Sequence, residues 1–264
     1  MVFNSYTFIA FFAIVLALYY SGISWRARKM LLIAASYTFY AAWNPPFVLL
    51  LVFSTIVDWE LAQRIHYATS IRLRKLYLAA SLSVNLGLLG IFKFGCFMLE
   101  SFAGVVQELG GAYQAPALDI ILPVGISFYT FQTLSYSLDI YRRRIDPWHS
   151  FVDYALFVTF FPQLVAGPIV RARDFLHQTI EPKIANMRHL CWGISLMVLG
   201  LFQKVVIADS LMAPVVEKVY DSAEVVSPMA AAIGTLAFAG QIFCDFAGYS
   251  TIAIGAAMCL GFAL

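Results

Sequence analysis

Long apolar runs separated by short polar stretches set the layout of the chain. Phe3–Tyr20, Arg28–Trp43, Phe47–Ala62, Leu76–Phe92, Ile120–Tyr141, Met187–Ala213 and Met229–Phe246 each read as a membrane-crossing helix. Several fall short of the roughly 20 residues of a perpendicular span, so their ends are soft. Asn44-Pro45-Pro46 parts the second run from the third, because proline cannot continue a helix. Phe151–Val170 is also apolar, yet its second half, Phe161-Pro162-Gln163-Leu164-Val165-Ala166-Gly167-Pro168-Ile169, holds two prolines and a glycine. Broken backbone at membrane depth survives only where protein or water satisfies its N–H and C=O groups. This segment therefore reads as a re-entrant element that dips in and returns to one side. The pattern predicts an all-α fold: a polytopic transmembrane helical bundle, with residues 1–264 as a single membrane domain.

Composition agrees with the pattern. Of 264 residues, 61% are apolar and 12% charged, against about 45–50% and about 25% in soluble domains. Disorder is excluded, and four cysteines in a chain of this length do not make a disulfide framework. A net charge of +2 gives no concentrated cationic face, so nucleic acid is not a partner.

The placement of charge says more than its sum. Of the 17 basic residues, all but Lys93, Lys204 and Lys218 fall in four stretches: Ser24–Lys29, Gln63–Lys75, Arg142–Ser150 and Arg171–His189. The polar stretches between them, Asn44–Pro46, Gln107–Asp119 and Pro214–Pro228, hold only Lys218. Short Lys/Arg-rich loops stay in the cytoplasm, so the two sets sort onto opposite faces. Phe3–Tyr20 has no basic residue before it and three soon after. It reads as a retained helix with its N-terminus outside, not as a signal peptide.

Nucleotide-loop, zincin and α/β-hydrolase motifs are missing. Cys96, Cys191, Cys244 and Cys259 lack metal spacing. His66, His149, His177 and His189 sit in or beside basic loops, where solvated surface histidines are expected. Among ionisable residues in the spans, Lys93 can snorkel to the interface. Asp58, Glu60 and Asp139 are expected to pair with nearby arginines. Lys204 and Asp209 are five apart, not the four that makes α-helical neighbours, so no direct pair is expected. Asp245 lies in a polar patch of an apolar run, facing either a cavity or a neighbouring helix. The small residues along Gly234–Gly261 suit close helix contact in lipid.

Three segments carry a resemblance. Leu122-Pro123-Val124-Gly125-Ile126-Ser127-Phe128-Tyr129-Thr130-Phe131-Gln132, followed by Ser135-Tyr136 and Asp139-Ile140-Tyr141-Arg142, is the first. Phe160-Phe161-Pro162-Gln163-Leu164-Val165-Ala166-Gly167-Pro168-Ile169-Val170-Arg171 is the second. Asp245-Phe246-Ala247-Gly248-Tyr249-Ser250-Thr251-Ile252-Ala253-Ile254-Gly255 is the third. In this order they resemble the membrane-bound O-acyltransferase family, in its bacterial alginate O-acetyltransferase group. The family usually has an acidic residue where Thr251 stands.

The resemblance implies acyl transfer to hydroxyls of a cell-surface or exported polysaccharide such as alginate. The donor would be acetyl-coenzyme A or a relayed acyl group, with no bound cofactor or metal. The setting implied is the bacterial inner membrane, with the lipid bilayer and periplasmic acetylation proteins as partners. The family's catalytic histidine is expected beyond Leu264, so no catalytic residue is assigned within the chain, which reads as an amino-terminal part. Attack by a hydroxyl on a thioester needs a base, oxyanion donors and a polar path between donor and acceptor. Ser127, Gln132, Ser135, Tyr136, Gln163, Asp245, Tyr249 and Ser250 are polar side chains in apolar signatures, hence candidates for that path or for helix cross-links. Pro168 belongs to the break. Arg171 follows it at the basic face, placed either to meet an anionic donor or to anchor the chain. A transporter or channel is the alternative reading, since broken mid-membrane helices occur there too.

Overall fold

The computed structural model describes all residues except 114, 115, 117–120, 166 and 223–225. Every regular element among the described residues is helical: α1 (Tyr6–Tyr19), α2 (Trp25–Ala41), α3 (Pro46–Tyr67), α4 (Ile71–Glu108), α5 (Ile126–Tyr141), α6 (Phe151–Thr159), α7 (Phe161–Leu164) and α8 (Ala172–Leu176). Then come α9 (Met187–Leu201), a π-helical segment (Phe202–Met212), α10 (Ala213–Tyr220) and α11 (Pro228–Cys259). Short polar side chains start these helices. Ser5, Ser24, Ser70, Ser150, Asn186 and Ser227 each accept a hydrogen bond from a first-turn N–H that would otherwise have no partner.

Four helices among the described residues are long and apolar enough to cross a membrane: Pro46–Tyr67, Ile71–Glu108, Met187–Tyr220 and Pro228–Cys259. These four spans make the chain a multi-pass membrane protein. All four run beyond the bounds that the sequence pattern indicates, two of them by more than ten residues. α4 continues through Lys93 to Glu108, about 57 Å at 1.5 Å per residue, and α11 runs past Phe246 to Cys259. Others are shorter. α5 begins at Ile126, because Gly125 takes a left-handed conformation (φ 76°) that ends the preceding backbone. Ile120, where a span is expected to start, lies outside the described residues, as do parts of the polar stretches 107–119 and 214–228.

The four basic stretches assemble at one end of the bundle. Tyr19 and Trp25 donate to the carbonyls of Lys183 and Thr179, Arg74 to that of Tyr141, and Tyr20 to that of Cys259. Trp59 and Gln63 both donate to the carbonyl of Trp148. Lys29 on α2 pairs with Asp153 at the start of α6, at 2.5 Å.

Residues Asp153 through Leu164 are all buried, in contact with an aromatic core of Phe11, Phe12, Phe39, Phe175 and Phe262. The chain turns at Phe160, and the ends of the segment come back together: the Trp148 ring meets His177 edge-on at 5.6 Å. The broken segment thus enters and leaves at the basic end, the re-entrant course that its prolines imply.

Asp58 departs from expectation. Glu60 and Asp139 do pair with Arg64 (2.8 Å) and Arg144 (3.8 Å). Asp58 instead is fully buried and accepts from Ser81 Oγ (3.0 Å) and Asn85 Nδ2 (2.6 Å) of α4. Thr133 and Ser137 of α5 extend this network to three helices. α3 is apolar on most sides, so sequence position gives no sign of which way Asp58 faces.

Candidate acyl-transfer site

The break in α6–α7 leaves carbonyls that a continuous helix would satisfy. Two glutamines supply what is missing. Gln132 of α5 and Gln163 of α7 both donate through Nε2 to the Phe157 carbonyl, at 2.9 and 2.6 Å. The Phe161 N–H, which a helix would direct to that same carbonyl, goes to Ser36 Oγ of α2 at 3.0 Å. Gln132 and Gln163 are 4% and 2% exposed, and Gln163 keeps Oε1 buried without a partner. A buried acceptor with no donor is costly, about 1–3 kcal/mol.

The first and second signatures touch directly. A side chain at Gly125 would run into the Leu164 carbonyl of α7, and no other residue tolerates both that approach and the positive φ. Tyr40 of α2 fixes the same turn by donating to the Val124 carbonyl at 3.0 Å. The third signature joins through Phe246, whose ring stacks on Phe128 of α5 with centroids 6.2 Å apart.

α11 reaches this position by close contact with α9. The backbone of Gly200 lies against that of Gly248, and Gly193 against Gly255, with room for nothing larger. The small residues of the third signature therefore act as a packing seam.

Beside that seam the π-helical segment changes which residues are neighbours. Its i→i+5 bonding places residues five apart on one face. Lys204 Nζ consequently lies 2.8 Å from Asp209 Oδ1, against the expectation drawn from α-helical spacing, and 2.5 Å from Asp245 Oδ1 across the helix interface. The ammonium also sits 5.7 Å over the Tyr249 ring, which itself packs near Phe3. One cation between two carboxylates thus stands near the middle of a 34-residue helix. Lys204 is 16% exposed, whereas Asp209 and Asp245 are 42% and 45%.

The candidates fall into groups. Gln132 and Gln163 meet at Phe157, while Asp245 and Tyr249 meet at Lys204, with Ser250 half-buried on the same helix. Ser127 is half-buried in the first turn of α5. Ser135 bonds back to its own helix at Gln132 O (2.7 Å). Tyr136 is fully buried at the basic end, its hydroxyl accepting from the Trp148 N–H at 2.8 Å, away from the glutamines. Pro168 is half-buried in extended chain, and Arg171 is exposed at the start of α8. Ser36 does not stand out in sequence because it lies in an apolar helix, and the pairing of Lys204 with Asp209 is hidden there because the π turn leaves no mark.

Residues 142–264 match the profile of "MBOAT, membrane-bound O-acyltransferase family". It is 35% identical over 99% of its length to "Probable alginate O-acetylase AlgI" of Azotobacter vinelandii, covering 52% of that protein. The protein of the same name from Pseudomonas aeruginosa is also 35% identical over 99% of the chain, which covers 50% of it. "Peptidoglycan O-acetyltransferase" of Helicobacter pylori is 34% identical over 86% of the chain, which covers 47% of it. The chain therefore spans about half the length of these relatives, their amino-terminal half.

Proposed function

We propose that the chain forms the amino-terminal part of an O-acyltransferase that moves an acetyl group onto hydroxyls of an exported polysaccharide, with alginate the leading acceptor. The observation that supports this most is that the first signature touches both others: Gly125 lies against Leu164 of the broken helix, and Phe128 stacks on Phe246 of the third. The names of the relatives point to the same chemistry, on alginate or peptidoglycan. None points to transport.

Each group has a part in the reading. Gln132 and Gln163 hold the broken backbone open, and Gln163 Oε1 accepts a hydrogen bond from the incoming hydroxyl or from the donor's amide arm. Charges near the middle of a span cost several kcal/mol against hydrocarbon, so Lys204, Asp209 and Asp245 mark a polar lining. The donor is acetyl-coenzyme A or a relayed acyl group arriving at the basic face, which the charge rule makes cytoplasmic. Arg171 guides it there. In this reading the N-terminus lies outside, and the acceptor and periplasmic partner proteins lie on the far side of the bacterial inner membrane. A general base contributes roughly 10²–10⁴-fold. The four histidines present lie at the basic end, so the base comes from the part of the relatives that this chain does not span.

Acetyl transfer from labelled acetyl-coenzyme A to polymannuronate tests this in membranes carrying the longest reading frame that contains these residues. Transfer is expected there and not with residues 1–264 alone. Transfer by residues 1–264 alone, or none in either, contradicts the proposal.

A further inference from the structure

A crevice of about 390 Å³ opens at the basic end, between the turn Arg144–His149 and α8 with the residues that follow it. Arg144 and Arg173 both line it, one from each side of the chain that forms it, with His149, His177 and Trp148 in the same wall. Arg171, the cation that the sequence singles out, is not among the residues that line it.

The two guanidinium groups are only lightly engaged. Arg144 stands 3.8 Å from Asp139, beyond hydrogen-bond range. Arg173 meets Asp174 through Nε at 3.3 Å, which leaves its two terminal nitrogens. The one carboxylate in the wall, Asp146, lies 3.7 Å from His66 on α3. Two permanent cations and two imidazoles thus surround one carboxylate. Arg143, in a left-handed conformation (φ 56°) that non-glycine residues rarely adopt, makes the turn that brings Arg144 to the crevice.

We propose that this crevice binds a phosphate ester at the membrane surface. Two arginine forks match the geometry of phosphate oxygens, as a single ammonium would not. The Trp148 indole, set edge-on to His177, offers a flat apolar face beside them for the group that carries the phosphate. Two sources share this chemistry: a soluble thioester carrier such as coenzyme A, and the headgroup of an anionic lipid. The first rests on the acyl-transfer reading and the second does not. Ala172 and Leu176 of α8 line the crevice, and Phe175 between them packs on Phe157 and Phe160 of the broken segment at 5.8 and 5.2 Å.

The test measures binding without turnover, so it stands apart from any failure of acyl transfer. The chain is placed in nanodiscs of phosphatidylcholine and titrated with coenzyme A. In parallel, discs doped with phosphatidylglycerol are analysed for lipid that stays bound to the extracted protein. The double variant Arg144→Gln/Arg173→Gln should weaken coenzyme A binding about tenfold or more if the carrier is the source. If the lipid is the source, coenzyme A fails to bind, and the variant loses retained phosphatidylglycerol. Arg144→Lys/Arg173→Lys keeps the charge and reports on folding through an unchanged unfolding midpoint. Binding of neither probe, or binding indifferent to the glutamine variant, overturns the proposal.

Discussion

Lys204 holds a charge where charge is costly, and its surroundings explain how. Without its ammonium, Asp209 and Asp245 would be two carboxylates sharing one polar spot with no cation between them. Lys204→Met should therefore destabilise the protein by roughly 1–3 kcal/mol, below the range for fully buried pairs because both acids are half-exposed. Adding Asp245→Asn should restore part of the loss, and unfolding midpoints of the two singles and the double in detergent measure it. Strictly additive losses would show that the pair is not coupled. Asp58 calls for a different comparison. Asp58→Leu leaves Ser81 and Asn85 without their shared acceptor, at about 1–3 kcal/mol for each buried group left unpaired. Asp58→Asn keeps an acceptor oxygen and should cost clearly less. Equal losses would mean that the charge, and not the hydrogen bonds, ties α3 to α4.

At the scale of elements, the broken helix and the glycine seam position the site. Gln132→Leu and Gln163→Leu each leave one donor on the Phe157 carbonyl, so each alone should cost about 1 kcal/mol. Together they orphan it, and the double variant should lose more than the sum of the singles. An additive result would indicate that water or a ligand already serves that carbonyl. Gly200→Val would drive a side chain into the Gly248 backbone, 2.5 Å from its carbonyl oxygen, and should separate α9 from α11. Loss of a cross-link between cysteines placed along that seam would register the change.

The break and the small-residue seam were legible in sequence, because proline and glycine act on the backbone locally. The length of α4 and the direction of Asp58 were not, since a helix surrounded by lipid and protein is apolar on every side and has no phase to read. The Lys204–Asp209 pair was hidden for another reason: spacing arguments assume 3.6 residues per turn, and the π segment abandons it. The polar candidates were visible as a set, but which of them meet depends on the crossing of α5, α7 and α11. Tyr136 shows the limit, a polar residue inside a signature that serves to tie down Trp148.

For the whole molecule, the sorting of basic stretches to one end gives a sidedness that labelling can read. In a cysteine-free background, Cys at Ser222 should react with an impermeant thiol reagent added outside, whereas Cys at Ser70 or Gln178 should not. Gln114, a natural second site on the outer set, lies outside the described residues. Labelling of position 178 from outside would contradict the return of the broken segment to the basic side. In the proposed function the three signatures form one path for acyl transfer, and buried Gln163 is part of its wall. The most direct measurement is the rate of acetyl transfer to polymannuronate by Gln163→Leu and Asp245→Leu, each in the longest reading frame that contains this chain and at matched protein levels. Loss of about tenfold or more in both is the expected result, for each removes a polar group from the proposed path. Wild-type rates in both variants would place the chemistry elsewhere and contradict the account.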